Sequence, residues 1–507
     1  MSSPMSTGVQ EKIPQLSYYE LETCYKFILG QELGHKTRNA DDLLQKACTD
    51  PFKRKFLDRV AQLFSNNKGG KHVTATALVQ RNTGIFEMFV ARNKGFQNNA
   101  DEDVKDFQFA RRLQESLRRL SRPTIAMRQQ QKIERTLWNR MVAFYIPRLQ
   151  AYHKAFDKSL PTQWRLIMSC MSNADISDDL RDDLVNLHRL TKPETAVEKH
   201  GLEFVDTCNR IYRGTNDDTM KHCLAPPEDW MRIRSLIGYI GRLRECHRII
   251  IHAAKRLSLS NLEIKLLSAP PQEARPERKY DFIGYLQELG VLGSWTTQSA
   301  TDLYRQDSFI VFLRRLFVGR KHSFFNRKTI DEMFEAVWGR GTMDVHAEIQ
   351  LVLHLSELGI TEPGYIGCSK YSCVTCYRYM HAHGQFTTIG CHQRLFNMIP
   401  IPANKLQMSE IAASFWRIQD ELANHLRTVV ASKLPEGVRG GDIAIASSNS
   451  ILPVANLEGT TRHPRRNISF SSQSTIGDSF PFENLEYEVE DEGYISNSTN
   501  AASHLEV

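Results

Sequence analysis

Four residues in one stretch constrain this chain more than anything else in it: His346 and Glu348 at one end, Cys373 and Cys376 at the other. The stretch reads DVHAEIQLVLHLSELGITEPGYIGCSKYSCVTCY, from Asp344 to Tyr377. Its apolar run LVLHL has helical character, and YIGCS has strand character. A fold that uses all four must turn helix, strand and second helix back on one another until an imidazole, two thiolates and a carboxylate converge. The imidazole and the thiolates make a three-ligand zinc set, and Glu348 is left over as a general acid/base. Asp344 and Ser372 are the expected caps of the two helices. The cysteines then fall in the first turns, both sulfurs on one side, where the helix dipole favours thiolate.

Three protein ligands leave a fourth position of the metal open, and water bound there has a pKa of about 7. Hydroxide made in this way can add to a ring carbon that bears an exocyclic amine, as in cytosine or adenine. Glu348 would carry the proton to the ring nitrogen and then assist the leaving ammonia. Ala347 is small and would let the backbone approach a flat base. The alternative is a non-catalytic helical scaffold, or a nucleic-acid-binding protein, whose zinc site is structural. Such a site normally closes with four ligands, and Cys368, His381, His383, Cys391 and His392 are the candidates for the fourth. Either half of the pattern alone arises often by chance. The two halves together, with a helix and a strand between them, favour the open site.

HAEIQLVLHL together with YIGCSKYSCVTCYRYM resembles the zinc-dependent nucleic acid/nucleotide deaminase superfamily. It looks closest to the OTT-type deaminase-like branch widespread in fungi, which carries Gly-x-Ser-Lys ahead of the cysteine pair, here Gly367-Cys-Ser-Lys370. One departure is Ser372-Cys373 in place of the common Pro-Cys, which keeps the ligands and alters a loop that faces the base. The resemblance implies an α/β, cytidine-deaminase-like fold in helix/strand/helix layers, a Zn2+ cofactor and a nucleobase-containing substrate, free or in single-stranded nucleic acid.

That element order can be sought elsewhere in the chain. Residues 72–92 form the best hairpin signal, two β-rich runs around Asn82-Thr-Gly84. A helix over 41–64 precedes it. The favoured organisation is therefore a split domain: lead and helix at 1–38, a first half at 39–98, a helical insertion at 99–340, a second half at 341–432 and a disordered tail at 433–507. The alternative is a separate helical domain followed by a contiguous deaminase domain from about residue 280. In the split arrangement Asn93, just after the second hairpin strand, becomes a candidate contact to the substrate. It is equally a turn residue chosen for its tolerance of left-handed angles. Further helices are expected over 107–158, with Pro147 kinking or ending one, and over 161–190, 195–212, 227–256, 280–318 and 329–338. Leu262–Leu267 reads as an isolated strand, 365–369 and 386–392 as strands, and 409–432 as an amphipathic helix.

Composition narrows the setting. Ten cysteines are scattered, mostly singly, which reads as reduced thiols and places the chain in the cytosol or nucleus. The polar start MSSPMSTGVQEKIPQ carries no apolar core of a secretory signal, and no apolar run is long enough to span a membrane. A net charge of +7 permits a nucleic-acid partner without demanding one. The arginines at 111, 112, 118, 119, 122 and 128 read as a solvated helix face, with phosphate contact as the alternative. The basic residues 314, 315, 320, 321, 327 and 328, interleaved with Phe317, His322, Phe324 and Phe325, suit core packing or base stacking equally. Oligomeric state is left open.

Overall fold

The hairpin expected at 72–92 sits in the middle of a four-stranded sheet, with Thr74 opposite Arg92 and Gln80 opposite Phe86. The computed structural model describes residues 18–29, 37–39, 41–97, 101–159, 164, 167, 177–214, 227–270, 273–274, 277–317, 325–339, 342–343, 345–360, 364–394, 409–435 and 438. The chain is mixed α/β, mostly helical with small sheets. Across the main sheet the order is Leu262–Leu266, Phe86–Arg92, Thr74–Gln80, Gly367–Cys368. The first pair is parallel and the other two are antiparallel. Leu262–Leu266 is thus not an isolated strand. Its parallel partner is reached only through a long crossover, so no local turn signal announces the pairing.

Both faces of the hairpin are covered, which explains why small residues replace the usual polar alternation. Ala75, Ala77, Phe89 and Ala91 join one hydrophobic core, and Leu78, Met88 and Val90 join a second. The helix Ala347–Glu357 packs on the first face, where the three alanines leave room for it. The helix Pro51–Phe64 packs on the second face, and Asp101–Leu120 lies against the Leu262–Leu266 strand. Gly367 marks a close approach of strand to helix. A Cβ there would lie 2.5 Å from the backbone carbonyl carbon of Leu57. The helix and strand are further tied by Asp58, which accepts from the Cys368 N–H and from the Tyr365 hydroxyl, each at 3.0 Å.

The block between hairpin and metal motif shares the second core. Its long helices are Asp101–Leu120, Met127–Ser159, Val197–Gly214 and Pro227–Arg256. Leu113, Leu137, Phe204 and Ile240 from these helices are buried together with Phe56 and Val60. The first core gathers the helix Tyr18–Leu29, the segments 282–338, the motif helices and Ser409–Lys433.

Several sequence expectations are corrected. The helix expected at 41–64 is two, Asp41–Ala47 and Pro51–Phe64. Asp50 caps the second by accepting from Phe52 N at 2.9 Å, and Pro51 opens it. Of the two expectations for Pro147, ending a helix is excluded: it lies inside the continuous Met127–Ser159, whose neighbouring Tyr145, Leu149 and Tyr152 are buried. Packing on both sides outweighs the one lost hydrogen bond. The helix expected over 161–190 is described as Asp178–Leu190, and most of 160–176 lies outside the described residues. The helices expected between 280 and 318 are four short elements, Phe282–Glu288, Gly293–Trp295, Ala300–Leu303 and Asp307–Leu316. The strands expected at 365–369 and 386–392 are each split into two-residue pieces. The tail lies outside the described residues beyond Val438. Among the described residues no helix is long and apolar enough to cross a membrane.

Where the second hairpin strand ends, a buried ion pair joins the layers. Arg92, 1% exposed, pairs through Nη1 and Nη2 with the carboxylate of Asp106, the latter contact being 3.1 Å. Arg92 Nη2 also donates to the Phe64 carbonyl at 2.8 Å, and the guanidinium lies 4.2 Å from the Phe96 ring centroid. Removing one partner strands a charge in the interior, a loss of roughly 3–5 kcal/mol. Asp106→Ala should therefore lower stability by about that amount in urea denaturation, and Asp106→Asn by less. A loss below about 1 kcal/mol for the alanine variant would show that the pair does not hold this junction.

Candidate metal centre

The histidine and the two cysteines converge. His346, Cys373 and Cys376 each offer one ligand atom, and these atoms all lie within 4.8 Å of one another. His346 Nδ1 stands 3.2 Å from Cys376 Sγ and 3.4 Å from Cys373 Sγ. A tetrahedral zinc ion with ordinary bond lengths would hold nitrogen and sulfur about 3.6 Å apart, so the donors need to move only a few tenths of an ångström. The donor set suits a borderline-soft cation, and the cluster can hold a metal ion.

The helix ends differ from the sequence expectation. The cap of Val374–His383 is Cys373 itself, not Ser372, and its sulfur accepts from Cys376 N at 3.4 Å. The cap position of Ala347–Glu357 is His346, not Asp344, whose side chain lies outside the described residues. His346 makes no capping bond of its own because its ring faces the sulfurs. The missing cap is supplied from the hairpin instead. Asn93 Oδ1 accepts from Ala347 N at 2.8 Å, and Asn93 Nδ2 donates to the Gly70 carbonyl at 2.7 Å. Gln350 adds a clamp, with Nε2 donating to the carbonyls of Val345 at 2.7 Å and Arg92 at 2.9 Å.

Glu348 is buried beside the cluster, its Oε2 3.9 Å from Cys376 Sγ. Ser372 is fully buried, and its side chain hydrogen-bonds to Glu348. Ala347 is fully buried, with its N–H committed to Asn93. Asn93 lies at this centre too, its amide bonded at both ends to backbone. None of the five fourth-ligand candidates joins the cluster among the described residues. Cys368 Sγ accepts from the Thr388 hydroxyl at 3.3 Å, Cys391 Sγ from Gln393 N at 3.2 Å, and His392 Nδ1 from Arg394 N at 3.1 Å. His383 Nε2 is 3.4 Å from the Ser356 hydroxyl, and the His381 ring packs against Tyr377.

Charge in this enclosure is tightly coupled. Burial alone would raise the Cys373 thiol, but hydrogen bonds from Cys376 and the His346 charge bring it well below the usual thiol range. Cys376 goes the opposite way, raised by burial and by its neighbour's negative sulfur. Burial would lower His346, yet Cys373 outweighs it and lifts the imidazole to about 9. Burial raises Glu348 above the usual carboxylate range, and the Cys373 charge adds to it. One thiolate is readily formed and the second is resisted. A divalent cation bound by His346, Cys373 and Cys376 would resolve that conflict by holding both sulfurs as thiolates.

Residues 345–402 match the family model of OTT_1508-like deaminases. No curated protein and no solved structure matches the chain. The deaminase-like segment contains His346, Glu348, Cys373 and Cys376; the hairpin and the helical block lie outside it.

Sequence reasoning missed two residues at this centre. Glu22, from the helix Tyr18–Leu29, is buried, and the Thr375 hydroxyl donates to its carboxylate at 3.4 Å. Burial pushes Glu22 up to about 8, with the Cys373 charge reinforcing the shift. Its position three before the buried Tyr25 gave the helical face but not what that face meets. Gln350 was passed over as one polar residue in an apolar helix, although a glutamine at such a position needs buried acceptors. Most of the first basic run is exposed, as a solvated helix face would be. Arg118 donates to the Leu262 carbonyl at 2.6 Å while Arg111 and Arg112 are exposed. Phe317 and Phe325 are buried in the first core, Arg327 pairs with Asp281, and 318–324 lie outside the described residues.

Removing the amide of Asn93 should cost a cap and leave a buried N–H without its acceptor, together about 1–3 kcal/mol. Asn93→Ala should show that loss in chemical denaturation and release metal to a competing chelator sooner than the parent, with Asn93→Asp in between. Unchanged stability and unchanged metal retention would mean that the cap does not position the helix.

Proposed function

We propose that this chain is a zinc-dependent hydrolytic deaminase of a nucleobase, cytosine or adenine, in nucleic acid, nucleotide or nucleoside. One observation carries the reading: a three-residue metal cluster of His346, Cys373 and Cys376, with the buried Glu348 carboxylate beside it and no fourth protein ligand among the described residues. A structural site has no use for that carboxylate. The match of residues 345–402 to a deaminase family supports the same reading.

Zn2+ held by these three residues would supply, at neutral pH, a hydroxide nucleophile that water alone does not provide. The chain's own residues supply the rest. In the balanced reaction water adds to the ring carbon, its C–N bond to the exocyclic amine breaks, and ammonia leaves as the carbonyl forms. Glu348 takes a proton from the attacking water and hands it to the ring nitrogen, then takes the second proton from the new hydroxyl as the carbonyl forms and gives it to the departing amine. Its raised affinity for protons, caused by burial, suits a group that must both take and give one. The Ser372 hydrogen bond fixes the carboxylate. The Asn93 cap and the Gln350 clamp fix the helix that carries it.

A cytidine-deaminase-like layering, split by the helical block, follows from this reading. Its support is the pairing of Ala75 with Cys368 and of Thr76 with Gly367, which joins the early hairpin to the late motif. The substrate is a nucleobase compound, and the compartment is a reducing one, cytosol or nucleus, consistent with the free cysteines described.

Purified protein should carry about one zinc per chain. Glu348→Gln should retain the metal and lose ammonia release by about 100-fold or more, and Cys373→Ala should lose both. The readouts are elemental analysis and an ammonia assay across nucleosides, nucleotides and single-stranded oligomers. Undiminished deamination by Glu348→Gln would defeat the mechanism.

A further inference from the structure

A cleft opens between the helical block and the segment that leads into the cysteine pair. One wall is Ser369, Lys370 and Tyr371, the three residues after Cys368 in the Gly-Cys-Ser-Lys run. His392 lines the cleft as well, and its N–H donates to the Ser372 carbonyl at 3.1 Å, one residue before Cys373. The facing wall comes from Met127–Ser159 and Pro227–Arg256, and contributes Arg148, Tyr152, Tyr239 and Arg242. Lys68 completes the lining from the loop before the hairpin. Four cationic side chains thus face the cleft, and among the described residues no Asp or Glu lines it.

The facing wall is a built surface and not a scatter of surface cations. The rings of Tyr152 and Tyr239 stack nearly parallel, 5.9 Å apart. The Arg148 guanidinium lies over Tyr152, and that of Arg242 over Tyr239 at 5.2 Å. Arg148 is held further by Nη1, which donates to the carbonyls of Ser65 and Asn67 at 2.9 Å, and by Nε, which donates to the Tyr152 hydroxyl at 2.8 Å. Guanidinium groups fixed in advance bind phosphate without the ordering cost that a mobile side chain carries. Opposite them, Lys370 makes no ion pair among the described residues.

We propose that this cleft is the phosphate subsite of the substrate: Arg148 and Arg242 from the helical block, with Lys68 and Lys370, hold the phosphate side of a nucleotide whose base enters the neighbouring metal centre. The proposal rests on the deaminase reading for what the base does, but not for what the cleft binds. It gives the helical block a task, because half of the subsite comes from helices that the deaminase-like segment lacks. It also narrows the substrate class from any nucleobase compound to a phosphorylated one. The phosphate belongs either to a mononucleotide or to the backbone of a single strand, and the cleft chemistry is common to both.

The test uses the full chain, zinc-loaded, with Glu348→Gln as the background so that bound ligand is not turned over. Cytidine and adenosine 5′-monophosphates, the corresponding nucleosides, and a labelled single-stranded oligomer are titrated by calorimetry and fluorescence anisotropy. Lys370→Gln and Arg242→Gln, one on each wall, should each weaken phosphate-bearing ligands roughly ten-fold or more. Zinc content, far-ultraviolet circular dichroism and nucleoside binding should not change, and Lys370→Arg should restore affinity. A response of the monophosphates identifies a mononucleotide, and a response of the oligomer alone identifies a strand; either supports the subsite. Phosphate-bearing ligands that bind no better than nucleosides, or that ignore both substitutions, would overturn it. Ammonia release by the wild type separates the two readings. Phosphate binding that depends on Lys370 and Arg242, without deamination of any base, removes the deaminase reading and leaves the subsite. Nucleoside deamination indifferent to both residues, without a phosphate advantage, does the reverse.

Discussion

The acceptance of one backbone N–H by one side chain holds the centre together. Asn93, at the end of the hairpin, caps the helix that begins at Ala347, and that single contact fixes His346 on one side and Glu348 on the other. The histidine cannot cap its own helix while it faces two sulfurs, so the cap has to come from a distant segment. Gln350 then closes the junction from within the helix by binding the carbonyls of Arg92 and Val345. Arg92 ties the same corner to Asp106 and Phe64. Every layer of the molecule meets there: sheet, motif helix, backing helix and helical block.

What was legible in the sequence were the parts whose signal is local. His346, Glu348, Cys373 and Cys376 announce themselves through spacing and residue chemistry, and the hairpin through alternation around Asn82-Thr-Gly84. The helix Pro227–Arg256 was bounded correctly because Pro227 starts it and the apolar period runs its full length. What was not legible depends on distant partners. A two-residue strand such as Gly367–Cys368 is defined by Ala75 and Thr76, not by its own propensity. Pro147 looks like a breaker until the packing of Tyr145, Leu149 and Tyr152 is known. Ser372 and Asp344 were reasonable caps by residue type, yet Cys373 and Asn93 take the bonds. Side-chain propensity ranks candidates for such roles; tertiary geometry chooses among them.

The electrostatics of the centre follow from the same enclosure. Two buried sulfurs, an imidazole and two buried carboxylates cannot all hold their ordinary charges so close together, and the opposed shifts of Cys373 and Cys376 express that conflict. Glu22 belongs to this account even though it comes from the first helix of the described chain, because its carboxylate shares the low-dielectric space. The helical block contributes differently. It buries one face of the sheet, supplies Asp106 to the corner and lines half of the cationic cleft. Its size is then explained by what it adds around the centre, with the chemistry left to the shorter motif.

X-ray absorption at the zinc edge of the full-length protein tests the central claim most directly. The account predicts two sulfur ligands, one imidazole nitrogen and one further light atom that a substrate-like inhibitor can displace. A shell of four protein ligands, with a third sulfur or a second imidazole, would contradict it.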